Sequence, residues 1–576
     1  MFVRIHKDRG VERLYICRSI RNGTAVKSEI VVSLGRIDKL CQEMNFSRDQ
    51  VLAWADQKLN EIEQKPSLPV SVPFFPDKLI SRDEQRSFMA GYLFLQKIYY
   101  AMKMKNVFRN IKARHKYKFD LDAIFSDLVF ARVLEPGSKY ASYDTVSKFL
   151  EKPSYERHDV YRALSVLAEE MDYIQAEVYK NSNFVYKRNN HILYYDVTNC
   201  YFEIEEEDLF REYGKSKEHR PNPIVQMGLF MDGNGIPLAF SIFNGSSNEQ
   251  PSLKPLEEKI IKNFGFSKFV VCTDGGLGSD NNRAFNDIEG RAFIVTQSLK
   301  KLKEKDRAAA MDDRNWRRVS DNRPVDIKDI KANYSDHLKE LYYKEEVYGT
   351  KKVPGQLMIV TYSPKYAAYQ KKIRQAQLDR AEKMVESSSI RKQRKNPNDP
   401  ARFVKTVNTT KDGEVAEEKS YSIDREKADQ EALYDGFYAV CTNLVDDNIS
   451  DILAVSEGRW EIEESFRIIK TDFKARPVYV RREDRIKAHF LVCYMALLLF
   501  RILEKKINTD QKQYTASEII KSLRDYRLLK VNGYGYLPEY TRTDLTDRLH
   551  DVFCFRTDTE IVPTALMRNI IANTKK

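Results

Sequence analysis

The sequence has little of what metal clusters, disulfide frameworks and secreted proteins require. Its seven cysteines are scattered, odd in number and without a CxxC pair, and its 576 residues include only eight histidines. This pattern argues against a zinc cluster and fits a reducing compartment. The first residues contain no apolar signal core, and the longest apolar run, at 491–500, is about half of what a bilayer requires. We therefore expect a cytoplasmic protein without a membrane partner, and a buried helix over 484–506.

Size and charge favour a large, basic protein with several structural units. At 576 residues the chain is too long for one hydrophobic core, and 42% hydrophobic residues are enough for several. The formal net charge is +12 and the isoelectric point is near 9.0. This charge favours an anionic partner, with nucleic acid first.

The first third of the chain predicts a small sheet followed by helices. Short alternating runs separated by glycine turns predict an antiparallel sheet over 1–36, and 37–62 reads as helix. Together they form an N-terminal β-rich unit with a helix, residues 1–65, and the four prolines of 66–78 mark a linker. Apolar residues at three/four spacing predict a helical domain at 80–185. Its interleaved lysines and tyrosines fit either a DNA-binding bundle or an ordinary one.

The middle of the chain predicts an α/β unit with a mixed sheet. A strand-like run carries Asp196, a second apolar strand runs into Asp274, and two strands flank the turn Asp232-Gly233-Asn234-Gly235. A long segment with strand-like runs and a basic, helical stretch at 364–430 interrupts this unit. The predicted domains after the linker are 80–185 (helical), 190–300 with 451–508 (catalytic core), 301–450 (inserted β-rich domain with a helical basic arm) and 509–576 (C-terminal helical tail).

A helix near residue 463 combines an apolar stripe with a charged face. Ile462, Phe466, Ile469 and Phe473 follow helical spacing. The charged face, one residue further along, consists of Arg459, Glu463, Arg467 and Lys470. Taken alone, this is a surface helix with i,i+4 ion pairs, which are individually weak.

One helical and two strand-borne carboxylates can serve phosphoryl transfer. Mg²⁺ prefers oxygen ligands and keeps several waters, so about three carboxylates and a phosphate complete its site. Two such ions activate the attacking oxygen and stabilise the leaving one. Asp196, Asp274 and Glu463 supply the acids, and the site needs neither histidine nor cysteine.

Four motifs in order resemble a known family. Arg459, Glu463 and Lys470 reproduce the R-x3-E-x6-K part of the signature of insertion-sequence transposases of the IS4 superfamily. The wording RWEIEESFRIIK resembles the IS1634 branch, as do YYDVTNCYFE with GKSKEHRPNP around Asp196 and VVCTDGGLGSDNN around Asp274. The 189-residue gap between Asp274 and Glu463 leaves room for the β-domain that such enzymes insert there.

The resemblance implies an RNase H-like fold and a DDE transposase that cleaves DNA and transfers strands. Asp196, Asp274 and Glu463 would bind Mg²⁺, for which Mn²⁺ substitutes. The DNA would be double-stranded, namely the terminal inverted repeats of the element and the target, held by a homodimer in the bacterial nucleoid. The implied phosphate contacts are Arg459, Lys470, Arg467, Lys217 and Arg220.

Two positions depart from the family pattern, and two other functions stay open. Ser456 replaces the signature tyrosine, and Gly275 replaces the arginine of the usual Asp-Arg-Gly. A nuclease without strand transfer would use the same acids, and a catalytically silent DNA-binding derivative would need none of them. Three neighbouring residues are given structural roles: His219 (structural), Trp460 (core) and Asp280 (polar loop surface).

Overall fold

A computed structural model describes residues 2–8, 10–22, 25–44, 46–63, 70–217, 221–387, 398–409 and 415–576. The chain divides into two compact units, residues 1–82 and 83–576. The first unit contains the predicted β-rich segment 1–65, and the second contains everything from the predicted helical domain onward.

The first unit is a three-stranded antiparallel meander with two helices. The strands pair in the order β1-β2-β3, as the glycine turns predicted. The predicted helix over 37–62 is two helices, because Ser47 starts a new one by accepting a hydrogen bond from the Gln50 amide (3.3 Å). Leu14, Val51 and Ala55 belong to the small core between sheet and helices. The elements are β1 (Phe2–Asp8), β2 (Val11–Asn22), β3 (Ala25–Arg36), α1 (Ile37–Met44) and α2 (Arg48–Glu63).

Helices from the predicted helical domain begin the second unit after a short strand. Their buried faces belong to the main core of the protein rather than to a core of their own. Of the tyrosines that suggested DNA contact, Tyr99 is fully buried and bonded to Asp122, whereas Tyr140 is 53% exposed. The elements are β4 (Ser87–Met89), α3 (Tyr92–Ala101), α4 (Met104–Arg114), α5 (Leu121–Leu134), α6 (Lys139–Val146), α7 (Arg157–Glu169) and α8 (Met171–Ser182).

A nine-stranded mixed sheet forms the centre of the second unit. It begins with the hairpin expected around Gly233 and Gly235, and the two parallel strands that follow confirm the predicted mixed α/β unit. These five strands and their helices are β5 (Ile192–Tyr201), β6 (Ile224–Asp232), β7 (Pro237–Asn244), α9 (Leu253–Phe264), β8 (Phe269–Thr273), α10 (Asp280–Phe285) and β9 (Arg291–Thr296).

Strands of the segment 301–450 continue the same sheet. The order is β10-β11-β12-β15-β9-β8-β5-β6-β7, so the segment extends the sheet from the β9 edge. Strand β12 is buried along its whole length, which favours a central position over an edge. The elements are α11 (Glu304–Met311), β10 (Arg317–Arg318), α12 (Ile327–Ala332), β11 (Tyr342–Tyr348), β12 (Gln356–Tyr362) and, after the arm described next, β15 (Phe437–Thr442).

The predicted helical arm at 364–430 is only partly helical, which corrects the sequence interpretation. Its first third is a long helix, but a two-stranded antiparallel hairpin follows. The charged residues of this hairpin concealed its period-two alternation of Val, Thr and Tyr. Much of the basic run predicted near 390–397 lies outside the described residues. The elements are α13 (Pro364–Glu386), β13 (Val404–Thr409), β14 (Val415–Ile423) and α14 (Arg425–Ala432).

The expected buried helix lies at the centre of the main core. It follows α15 (Ile449–Glu457) and α16 (Trp460–Arg467), and it is α17 (Glu483–Ile507). Helices α3, α5 and α7 and strand β7 all pack against α17. Within the described residues it alone has the length and composition of a membrane span, yet 94% of that window is buried inside the protein.

The C-terminal segment combines helices with strands, whereas the sequence predicted helices alone. Three strands pair with β4 into a four-stranded sheet. The missed signal is Asn532-Gly533 between two short apolar runs, a hairpin turn in which Gly533 has φ +85°. The elements are α18 (Ala516–Asp525), β16 (Arg527–Val531), β17 (Gly535–Pro538), α19 (Asp544–Phe553), β18 (Val562–Pro563) and α20 (Thr564–Thr574).

Candidate active site

Two of the predicted acids lie side by side on neighbouring parallel strands. Tyr195 on β5 is in register with Thr273 on β8. The next residues along the two strands are Asp196 and Asp274, at the point where β8 ends. The topology therefore brings together two carboxylates that are 78 positions apart in sequence.

The Asp196 carboxyl is mostly buried and is held between opposing charges. Burial raises its pKa to about 6, the nearby charge of Asp274 acts in the same direction, and Lys217 and Arg459 oppose the rise. Its Oδ1 also accepts a hydrogen bond from the Val197 amide at 2.7 Å. A buried carboxyl beside a second acid is a position at which added positive charge would be strongly favoured.

Backbone amides fix the Asp274 carboxylate in the turn after β8. Its Oδ1 accepts from the Gly276 amide at 2.9 Å and from the Leu277 amide at 3.1 Å. A Cβ added at Gly275 would lie 2.8 Å from the Thr296 carbonyl oxygen. This close approach of β9 explains why glycine, and not the arginine of the resembled family, fits this backbone.

The third predicted acid is on α16, which packs against β5. Its Oε1 lies 3.4 Å from Arg459 Nη2, and the Glu463 side chain is 61% exposed. Burial raises the pKa of Asp196 and of Cys272, and the charge of Arg459 opposes both rises. Arg459 therefore lies near both the strand-borne acid and Glu463.

The three acids share one region without converging on a single point. Among the described residues, one group of three potential metal ligands has its ligand atoms within 4.8 Å of one another, and it consists of Asp547, His550 and Asp558. Asp196, Asp274 and Glu463 do not form such a close group. As an all-oxygen set with one buried member, these acids fit the preference of Mg²⁺ for hard ligands.

Two predicted lysines lie at the same end of the sheet. Lys217 Nζ is 4.0 Å from Asp196 Oδ1 and 3.8 Å from Glu249 Oε1, and it donates to the Val197 carbonyl. Burial lowers the pKa of Lys470, whose charge interacts with Lys217 and Asp196. Glu249 was not predicted, because a lone glutamate in a polar loop carries no sequence signal.

The remaining predicted cations differ in placement. Arg467 pairs with Asp472 at 3.2 Å and with Glu464 at 3.5 Å, and the helix widens into a π-helical turn at Ile468–Asp472. Arg220 and His219 lie outside the described residues.

Three residues near the acids were singled out in the sequence, namely Trp460, Asp280 and Ser456. Trp460 is 56% exposed rather than in the core, because it lies two residues before Ile462 and thus opposite the apolar stripe. Asp280 is not in a loop but begins α10, after the N-cap Ser279. Ser456, at the position of the signature tyrosine, is buried near the end of α15.

Sequence reasoning missed the arginine that fastens the Glu463 helix to the core. The Arg501 side chain on α17 is 2% exposed and donates to Ser465 Oγ (2.8 and 3.1 Å) and to the Glu461 carbonyl oxygen (3.1 Å). It also pairs with Glu504 at 2.7 Å and with Glu464 at 3.0 Å. The available signal was an arginine inside an apolar run, which must find partners when buried.

Comparison with known proteins gives the family. Residues 197–499 match the family model described as Transposase DDE domain. No curated protein sequence matches the chain. A solved structure, the cryo-EM structure of a piggyBac transposase synaptic complex with hairpin DNA, matches with 10% identity, 84% coverage of each chain and a TM-score of 0.35. Because the family match spans more than half of the chain, the protein belongs to the DDE transposases, enzymes that cleave DNA and transfer its strands with the help of divalent metal ions.

Proposed function

We propose that this transposase mobilises a bacterial insertion sequence of the IS4 superfamily, IS1634 branch, and that Asp196, Asp274 and Glu463 form its catalytic centre. The observation that carries the proposal is the register of β5 and β8, which puts the two aspartates side by side. The helix of Glu463 packs on the same strand β5. Arg459, Glu463 and Lys470 match the R-x3-E-x6-K part of the IS4-superfamily signature in type and spacing.

The three acids would hold Mg²⁺, with Mn²⁺ as a substitute. Such an ion supplies Lewis acidity to the scissile phosphate and lowers the pKa of the attacking water. The Asp196 carboxyl, which burial makes harder to ionise, is stabilised as the anion by Lys217 and Arg459. Amides fix Asp274 from one side, so its second oxygen remains for a ligand.

The cations beside the acids would hold DNA phosphates. Lys217 and Lys470 interact with Asp196, so a phosphate bound near that carboxyl lies within their field. Arg459 holds Glu463, and we assign it a role in orienting that carboxylate as well as in phosphate contact. Arg467 and Arg220 belong to the same proposal on sequence grounds.

The wider DNA contacts follow from the same function. We assign the terminal inverted repeats to the helical segment 80–185, where Arg157 stacks over the exposed ring of Tyr140 at 3.8 Å. A homodimer would hold two element ends together before they are joined to target DNA. The enzyme would act in the bacterial cytoplasm, at the nucleoid, where its substrate lies.

The deciding experiment is cleavage of a labelled duplex that carries the end of the element. Reactions contain Mg²⁺, Mn²⁺, Ca²⁺ or chelator, and Asp196→Ala serves as the control variant. Cleavage with Mg²⁺ that Asp196→Ala abolishes, followed by joining to a second duplex, is the expected result. Cleavage without joining would identify a nuclease, and binding without cleavage in any metal would identify a silent derivative.

A further inference from the structure

Charge divides the N-terminal unit into a basic sheet and an acidic pair of helices. Residues 1–36, which form the strands, contain eight Lys or Arg and three Asp or Glu. Residues 37–63, which form the helices, contain three Lys or Arg and six Asp or Glu. Of these two parts of the unit, only the strands therefore have an excess of positive charge.

The strand register places several basic side chains on the face of the sheet that the helices do not cover. His6 on β1 is opposite Arg13 on β2, and Arg13 is opposite Arg36 on β3, so three basic side chains form one row across the sheet. In the row two residues away, Arg4 is opposite Tyr15. Side chains alternate between faces along a strand, so all five lie on one face.

The helices cover the other face. Leu14 and Val51 belong to the core between sheet and helices, and Leu14 alternates with Arg13 and Tyr15 along β2. The ion pair of Arg48 with Glu12 (3.1 Å) joins α2 to the sheet on this side. The basic rows are therefore directed away from the helices.

Like charges directly opposite one another destabilise a sheet, so this row needs a compensating partner. Asp38 compensates Arg36, to which it is bonded at 3.0 Å. Arg4 donates to Ser28 Oγ (2.8 Å), and no acid of the described residues lies within ion-pair distance of Arg4 or Arg13. Within the described part of the chain, the exposed Arg4 and Arg13 thus have no anionic partner, and an exposed aromatic, Phe2, lies at the other end of the same face.

We propose that the open face of the N-terminal sheet binds duplex DNA, with Arg4 and Arg13 on phosphates. Three strands span about 10 Å from first to last, which fits a major groove about 12 Å wide. Arginine and tyrosine in adjacent rows are suited to phosphate contact and to packing against sugar and base edges. The inference rests on the proposed function only in that DNA is the substrate.

The test uses full-length protein carrying Arg4→Gln and Arg13→Gln together. The matched control, Lys39→Gln with Lys58→Gln, removes the same charge from the helices. Dissociation constants for an element-end duplex are measured by fluorescence anisotropy between 50 and 300 mM KCl. We expect the slope of log affinity against log salt to fall by about 1.8, or about 0.9 for each lost phosphate contact.

The expected affinity loss at low salt is about tenfold or more for the double variant, and less than twofold for the control. Equal effects of the two variants would overturn the proposal. The double variant Arg4→Lys with Arg13→Lys keeps the charge and should keep most of the affinity. If its affinity is as low as that of the glutamine variant, the loss is not electrostatic and the proposal is also overturned.

Catalysis separates this inference from the proposed function. At DNA concentrations that saturate the sheet-face variant, its Mg²⁺-dependent cleavage should match that of the unmodified protein. Asp196→Ala should not cleave at any DNA concentration. Cleavage by Asp196→Ala would refute the assigned catalytic centre and leave the binding result standing.

Discussion

Glu257 is a carboxyl buried where its charge is poorly compensated. It lies on α9 with no exposed surface, and its Oε1 accepts from Asn286 Nδ2 at 2.8 Å. Neither Glu257 Oε2 nor Asn286 Oδ1 has a hydrogen-bond partner among the described residues. Burial raises the pKa of Glu257 to about 8, against an ordinary value of 4.5. A protonated carboxyl can donate to the amide oxygen, so the neutral form suits the site better.

The raised pKa makes the protein less stable as pH increases. Below pH 4.5 Glu257 is protonated in the folded and the unfolded chain, so its stabilising contribution is complete. Between pH 4.5 and about 8 only the folded chain keeps the proton, and stability falls by about 1.4 kcal/mol per pH unit. Over the whole interval from pH 4.5 to about 8 the loss adds up to about 5 kcal/mol. Glu257→Gln keeps the shape and the amide pairing and removes this dependence.

We therefore expect Glu257→Gln to match the unmodified protein near pH 5 and to be more stable by about 2–4 kcal/mol at pH 8.5. The measurement is the urea midpoint of the second unit at both pH values. Glu258→Gln is the matched control, since its neighbour Glu258 is 57% exposed and 3.7 Å from Lys254, a pair worth little. A pH-independent difference between Glu257→Gln and the unmodified protein would refute the reasoning.

Three further predictions concern the Glu463 helix. Glu463→Gln should abolish cleavage while DNA affinity stays within about twofold, and an equal loss of affinity would contradict a purely catalytic role. Arg501→Met leaves Glu504 buried without its partner, so we expect the free energy of unfolding, measured by thermal unfolding, to fall by about 3–5 kcal/mol. At temperatures well below the transition, we also expect slower cleavage at saturating DNA. Unchanged cleavage would exclude a positioning role for Arg501. A Cβ at Gly458 would collide with the Tyr194 hydroxyl, so Gly458→Ala should lower the free energy of unfolding by about 1–3 kcal/mol. Adding Tyr194→Phe removes that hydroxyl, and it should recover part of the loss if the collision is the cause.

Sequence reasoning succeeded where the signal is local. The Asp-Gly-Asn-Gly sequence tolerates the positive φ that tight hairpin turns require, as Gly235 shows with φ +72°, which explains the predicted hairpin of β6 and β7. Unbroken apolar runs predicted β8 and α17, because such runs have no stable place outside a core. Asp196 and Asp274 became candidates because each lies on or directly after a strand.

Prediction failed where the outcome depends on distant partners. Strand β12 could form a separate sheet or could extend the main sheet by pairing with β15, which in turn pairs with β9. The choice depends on which strand edge is available for pairing, and no local sequence pattern specifies that edge. Arg501 could not be assigned because its acceptors on α16 lie about forty positions away. Trp460 was wrongly predicted to be in the core because tryptophan is usually buried. Its position on the helix, opposite the apolar stripe, makes it exposed.

The shared core around α17 affects how such an element can evolve. Helices that follow residue 83 and a strand of the catalytic sheet bury their apolar faces against the same helix. A recombinant that imported the helical segment from a relative would need complementary changes along α17, so we expect this segment to change mainly by point substitution. A crossover near residue 82 would fall between the two compact units. Exchange between elements should therefore leave its breakpoints there.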